Sequence, residues 1–65
     1  MIVDGNFNSD GQKHGKWSEY VNGKLKEVNT FKDGMKDGIE ELYDDSGKIF
    51  RILKYKNDKI IEVLK

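Results

Sequence analysis

Apolar and polar positions alternate along this chain in short runs, and each run ends at a glycine, asparagine or aspartate. No stretch carries the 3.6-residue period of an amphipathic helix, so the alternation predicts strands. Turn signals at Asp10-Gly11, Asn22-Gly23, Asp33-Gly34, Asp37-Gly38, Ser46-Gly47 and Asn57-Asp58 divide the chain. They place strands at 2–8, 16–21, 24–32, 39–43, 48–56 and 59–64. Asn22-Gly23 supplies the two positive-φ residues that a two-residue type I′ hairpin turn needs. That turn predicts Val21 opposite Lys24, Tyr20 opposite Leu25, Ser18 opposite Glu27 and Trp17 opposite Val28. One face then carries Tyr20, Leu25, Phe31, Tyr43, Ile49, Leu53 and Tyr55, and the other Trp17, Val28, Leu42, Phe50 and Ile52. Both faces are partly apolar, whereas an antiparallel sheet with one wet face alternates cleanly. Either the sheet curls on itself or its second face meets something.

The pattern is also written twice. Gly11, Gly15 and Tyr20 recur at Gly34, Gly38 and Tyr43, each 23 positions on, and Gly23-Lys24-Leu25 recurs at Gly47-Lys48-Ile49 with a spacing of 24. A period in this range marks a repeat architecture, in which each copy needs its neighbour to bury a core. The chain reads as one domain, 1–65, with copies at 11–33 and 34–57 and partial copies at 1–10 and 58–65. The expected fold is all-β: a single twisted antiparallel meander of about six strands built from consecutive β-hairpins.

Phe31-Lys-Asp-Gly34-Met-Lys-Asp-Gly38, followed by Tyr43 and a Gly-Lys turn, resembles the MORN repeat. Gly11-x-x-x-Gly15-x-Trp17-x-x-Tyr20-x-x-Gly23-Lys-Leu resembles its bacterial variant, found in small antitoxins of toxin–antitoxin systems. The resemblance covers nearly the whole chain; Tyr55 begins a later copy. It implies stacked β-hairpins serving as a binding scaffold, with no catalytic residues. It also points to a small inhibitor that binds and blocks a toxin. A phage inhibitor of a bacterial defence nuclease would use the same physics, a short rigid sheet with an acidic edge against a basic cleft. Three positions depart from the pattern: Glu40 replaces the aromatic seen at Trp17, Asp58 stands where the repeat has glycine, and Ile60 to Leu64 replaces the glycine-rich re-entry. The last two suggest a terminal cap.

Composition narrows the function further. The chain of 65 residues has no cysteine, so no disulfide or thiolate metal site supports it, and lone His14 builds no histidine metal site. Twelve basic residues balance twelve acidic ones, without the positive excess of a nucleic-acid binder or of a protein held on anionic lipid. No apolar run approaches the roughly 20 residues of a membrane-spanning helix, and the first residues lack a signal-peptide pattern, so a cytoplasmic location is expected. Asp4, Asn6, Asn8 and Asp10 alternate like calcium ligands, yet Ser9 and Gly15 stand where an EF-hand loop has glycine and glutamate. His14 has no serine or carboxylate at a catalytic spacing, and no glycine-rich loop precedes a helix. No enzyme activity, cofactor or metal is expected.

The resemblance points to recognition of another protein. Asp33, Asp37, Glu40, Glu41, Asp44 and Asp45 cluster around one lysine, Lys36, and form an acidic segment suited to a basic cleft, or a solvated face with cross-strand pairs. Trp17 and Phe50 break the repeat's symmetry, since Glu40 and Lys26 hold the equivalent places, and aromatics of that kind are either interface anchors or core. The candidate partner-binding set is therefore Trp17, Glu40, Glu41, Asp44, Asp45 and Phe50. Gly11, Gly15, Tyr20, Gly23, Phe31, Gly34, Gly38, Tyr43, Gly47 and Tyr55 are repeat positions with structural roles. Strand 59–64 presents an apolar sheet edge through which a homodimer could form. The second reading is a structural one, in which the sheet associates with itself as a scaffold.

Overall fold

A computed structural model describes residues 2–65. The chain forms one antiparallel sheet from β1 (Ile2–Phe7), β2 (Lys13–Val21), β3 (Lys24–Lys32), β4 (Met35–Lys36), β5 (Gly38–Tyr43), β6 (Ile49–Lys56) and β7 (Lys59–Val63). The strands lie in the order β1-β2-β3-β5-β6-β7, with the short β4 also paired to β3. The fold is thus the all-β hairpin meander that the alternation predicts. β4 is an additional strand, and β2 starts three residues early because it runs straight through Gly15. The sheet is a single layer measuring 36 × 27 × 11 Å.

Turn chemistry sets the order. Asn22-Gly23, Asp33-Gly34 and Asn57-Asp58 each have positive φ at both central residues, as a type I′ turn requires. Asp44 to Lys48 makes a longer connection: the Gly47 N–H donates to the Asp44 carbonyl at 3.0 Å and Gly47 adopts a φ of 87°, open to glycine at no steric cost.

The predicted register holds for two pairs and then slips. Tyr20 faces Leu25, but Glu19 faces Glu27, so Ser18 lies opposite Val28 and Trp17 opposite Asn29. The cause is a β-bulge that leaves Lys26 as an extra residue. The same bulge recurs just inside the β5–β6 and β6–β7 hairpins, whereas the β1–β2 pairing slips instead between Asp4 and Asn6. Tyr43 faces Ile49 and Leu42 faces Arg51, leaving Phe50 over; Tyr55 faces Ile60 and Lys54 faces Glu62, leaving Ile61 over. A tyrosine opens each of the three. Because each bulge adds one residue, it exchanges the faces beyond it. Phe31, Leu53 and Tyr55 therefore share the Trp17 face, while Val28 and Ile52 join Tyr20, Leu25, Tyr43 and Ile49 on the other.

Trp17 anchors the first of these faces. Its indole lies across β1 above Gly5, where a Cβ would sit 2.2 Å from the ring. Its Nε1–H donates to the Asn6 carbonyl at 3.0 Å. Phe7 and Phe31 meet it edge-on, with centroids at 5.0 and 6.4 Å, and the Lys13 ammonium lies 5.0 Å from its centroid. Trp17 and Leu53 are the buried apolar side chains among the described residues.

Adding the missing methyl at Gly5 must evict the indole. Gly5→Ala should cost about 1–3 kcal/mol of overpacking. It should also shift Trp17 fluorescence to longer wavelength, both read from one denaturant titration.

Candidate protein-binding surface

The six candidate residues separate into two groups. Four gather around the β5–β6 hairpin, and its loop explains how they are held. Asp44 Oδ1 accepts hydrogen bonds from the Ser46 hydroxyl at 2.7 Å, the Ser46 N–H at 2.9 Å and the Lys48 N–H at 3.0 Å. These donors, the Ser46 hydroxyl foremost, hold the Asp44 carboxyl below its usual pKa. Asp44 is thus a turn builder whose side chain looks back into its own loop. Asp45 crosses to the neighbouring hairpin and pairs with Lys26, which lowers its pKa through the hydrogen bond first and the charge second. The Lys24 ammonium donates to the Asp45 carbonyl at 3.4 Å. Between the two hairpins lies an open cavity of about 260 Å³, lined by Lys24, Leu25, Tyr43, Asp45, Ser46 and Gly47.

Phe50 follows this loop at the bulge and is 52% exposed. It belongs to neither face as a regular strand residue, because the bulge leaves it without a cross-strand partner. Glu41 points from β5 and accepts a long hydrogen bond, 3.4 Å, from the Tyr43 hydroxyl. Burial first, and the Glu41 charge beside it, push the Tyr43 phenol up. Glu41, Asp44, Asp45 and Phe50 therefore surround one hairpin end that combines an exposed aromatic with acidic groups.

The other two candidates lie inside. Trp17 is buried as described, and Glu40 is only 4% exposed. The repeat places them 23 positions apart, and the sheet puts both on the same face. The buried carboxylate is stabilised by Lys36, whose ammonium approaches Glu40 Oε2 to 2.8 Å and lies 4.9 Å from the Tyr55 ring centroid. Lys36 is fixed in turn by its own backbone: its N–H donates to Asp58 Oδ1 at 2.7 Å, and the Asp58 N–H donates to the Lys36 carbonyl at 2.9 Å. Partial burial alone would lower the Lys36 pKa, but the hydrogen bond and charge of Glu40, with Tyr55 and Glu27 nearby, together raise it. The Tyr55 phenol is also raised, by burial first and then by the Glu40 charge. The sequence shows Glu40 as part of an acidic surface run. The strand alternation that turns it inward, toward Lys36 four residues earlier, was the available signal.

His14 Nδ1 lies 3.9 Å from Asp33 Oδ1 with both groups exposed, and the Ser46 hydroxyl is engaged by Asp44. Among the described residues no group of three or more His, Cys, Asp or Glu could hold a metal ion, and no helix is long and apolar enough to cross a membrane. No family model, curated protein or solved structure matches the chain. The surface must therefore be read from its own chemistry.

The Lys36–Glu40–Tyr55 cluster has a pH signature. Raised folded-state pKa values for Lys36 and Tyr55 mean that their contribution is complete below the unfolded values of 10.5 and 10.0 and is lost as pH rises through the folded ones. Denaturation midpoints should fall above that range, and Tyr55→Phe with Lys36→Met should flatten the decline. Glu40→Ala, which strands Lys36, should cost about 2–3 kcal/mol at neutral pH.

Proposed function

We propose that this protein is a non-enzymatic binding module that attaches to another protein and blocks it. A toxin or a nuclease with a basic cleft is the class of partner that suits it. The observation that carries this reading is the hairpin end formed by Glu41, Asp44, Asp45 and Phe50. There Phe50, left over by a bulge, is 52% exposed, and the same hairpin carries Glu41, Asp44 and Asp45, the last tied to the neighbouring hairpin by Lys26. Exposed aromatics serve as interface anchors, and surrounding charge steers and orients the encounter. The scaffold is suited to the task, because hydrogen bonds within the 44–48 loop and the Lys26–Asp45 pair fix the surface before any partner arrives. Preorganisation of that kind lowers the entropic cost of binding.

The resemblance to bacterial MORN-variant antitoxins gives the same class of role, and a phage inhibitor of a defence nuclease would use the same physics. In this reading Trp17 and Glu40 act through the fold, since neither reaches the surface of the free chain. A cytoplasmic setting follows from the proposed partner.

The test is co-purification from the native host, followed by assay of the captured protein before and after release. One stoichiometric enzyme that regains activity on release would support inhibition. Phe50→Ser, or Glu41→Lys with Asp45→Lys, should weaken its capture by about tenfold or more, the scale of a lost interface anchor. Capture unchanged in both variants would sink the assignment of the surface, and a released partner with unchanged activity would sink inhibition.

A further inference from the structure

Beneath the 23-residue period lies a longer one. The connection Asn8 to Gln12 repeats the connection Asp44 to Lys48, 36 positions on, in four of its hydrogen bonds. Asn8 N–H donates to the Gln12 carbonyl at 2.8 Å and Gly11 N–H to the Asn8 carbonyl at 3.0 Å; Asp44 N–H and Gly47 N–H do the same at 2.9 and 3.0 Å. The Asn8 side-chain oxygen accepts from the N–H groups of Asp10 and Gln12, both at 2.9 Å, as the Asp44 carboxylate does from those of Ser46 and Lys48. Further on, Tyr20-x-Asn22-x-Lys24-Leu-Lys-Glu27-Val28 recurs as Tyr55-x-Asn57-x-Lys59-Ile-Ile-Glu62-Val63, 35 positions on, with the bulge at the same place. The three-stranded unit β1-β2-β3 is therefore repeated as β5-β6-β7, the two differing in that the β1–β2 pairing slips between Asp4 and Asn6 and the β5–β6 pairing between Leu42 and Tyr43.

Within the chain these two units are joined edge to edge, with Glu27 of β3 opposite Leu42 of β5 and Val28 opposite Glu41. That junction fixes what the far edge of β7 can accept, because β7 repeats β3 in sequence and in bulge. It also fixes what a matching strand looks like, because β1 repeats β5. Among the described residues neither outer strand pairs with a further strand, although the Trp17 indole lies across β1 over Gly5 and its Nε1–H holds the Asn6 carbonyl. Ile2, Val3 and Phe7 at one edge, and Ile60, Ile61, Val63 and Leu64 at the other, are 48–65% exposed. Six strands alternate in direction from edge to edge, so β1 and β7 run in opposite directions, and a second copy shifted sideways without rotation presents β1 antiparallel to β7.

We propose that the chain adds head to tail to further copies of itself, β7 of one molecule pairing with β1 of the next in the register of the β3–β5 junction. Transferring that register by 35 and 36 positions puts Glu62 opposite Asn6 of the next molecule and Val63 opposite its Gly5. The contact is heterologous and does not close on itself, so it produces a series of oligomers. It rests on the outer strands and is independent of the inhibitor reading, which uses the hairpin end.

Sedimentation velocity over a concentration series tests it, with circular dichroism confirming that each variant keeps its strands. The mean mass of the wild-type chain should climb past the dimer as concentration rises. Val3→Lys blocks the β1 edge and Val63→Lys the β7 edge, so each variant alone should run as a monomer, while an equimolar mixture should form a 1:1 dimer and stop there. The register is tested by Asn6→Glu, which should weaken association about threefold by setting like charges opposite one another, and by Asn6→Lys, which should strengthen it about threefold. Asn6→Glu combined with Glu62→Lys should restore it. A wild-type chain that stays monomeric throughout, or a closed dimer that survives Val3→Lys, would overturn the proposal. Should Val63→Lys fail to fold, the Asn6 series alone decides, and indifference to all three variants would overturn the register.

Discussion

A sheet of one layer has no opposite wall, so its side chains must exclude water by covering their own strands. The indole of Trp17 does this by lying flat over Gly5, a position that would be an open gap in β1 and is a seat for the ring instead. The bond to the Asn6 carbonyl fixes the ring's orientation and draws β1 against β2. Phe7, Phe31 and the Lys13 ammonium complete the cover. Without a second layer, this clamp supplies at the first edge what a core supplies in thicker domains.

At the equivalent place in the second copy the solution is electrostatic. Glu40 is as deeply placed as Trp17, and burial of a carboxylate is tolerated only when it is paired and hydrogen-bonded. Lys36 meets the requirement from the short β4 strand, and Tyr55 shields it. The Asp58 contacts then tie the β6–β7 turn to the same lysine. One repeat position thus holds an aromatic clamp in one copy and an ion pair in the next, and the same backbone accommodates both.

How much of this was legible follows from where the chain obeys its alternation. Asn22-Gly23, Asp33-Gly34 and Asn57-Asp58 announce their turns, so the meander and the first pairs beside Asn22-Gly23 could be read directly. The faces could not, because the bulges at Lys26, Phe50 and Ile61 each insert a residue that no propensity marks, and every position beyond them changes sides. Phe50 stood out as an aromatic breaking the symmetry; that it stands out because it is a bulge residue emerges only from the pairing. Glu40 looked like surface for the converse reason: its charge was visible, and the lysine that neutralises it four residues earlier was not recognised as a partner. In the sequence the Asn8 connection shows only oxygen side chains alternating like calcium ligands, and the change from amide to carboxylate hides the turn bonds it shares with Asp44.

Every pairing along the main order of this sheet joins strands consecutive in the meander, apart from the short β4 set beside its neighbours. Closing such short connections costs little chain entropy, and topologies dominated by local contacts cross their barrier quickly. Each hairpin carries its own turn residues, so zipping can begin at more than one place along the chain.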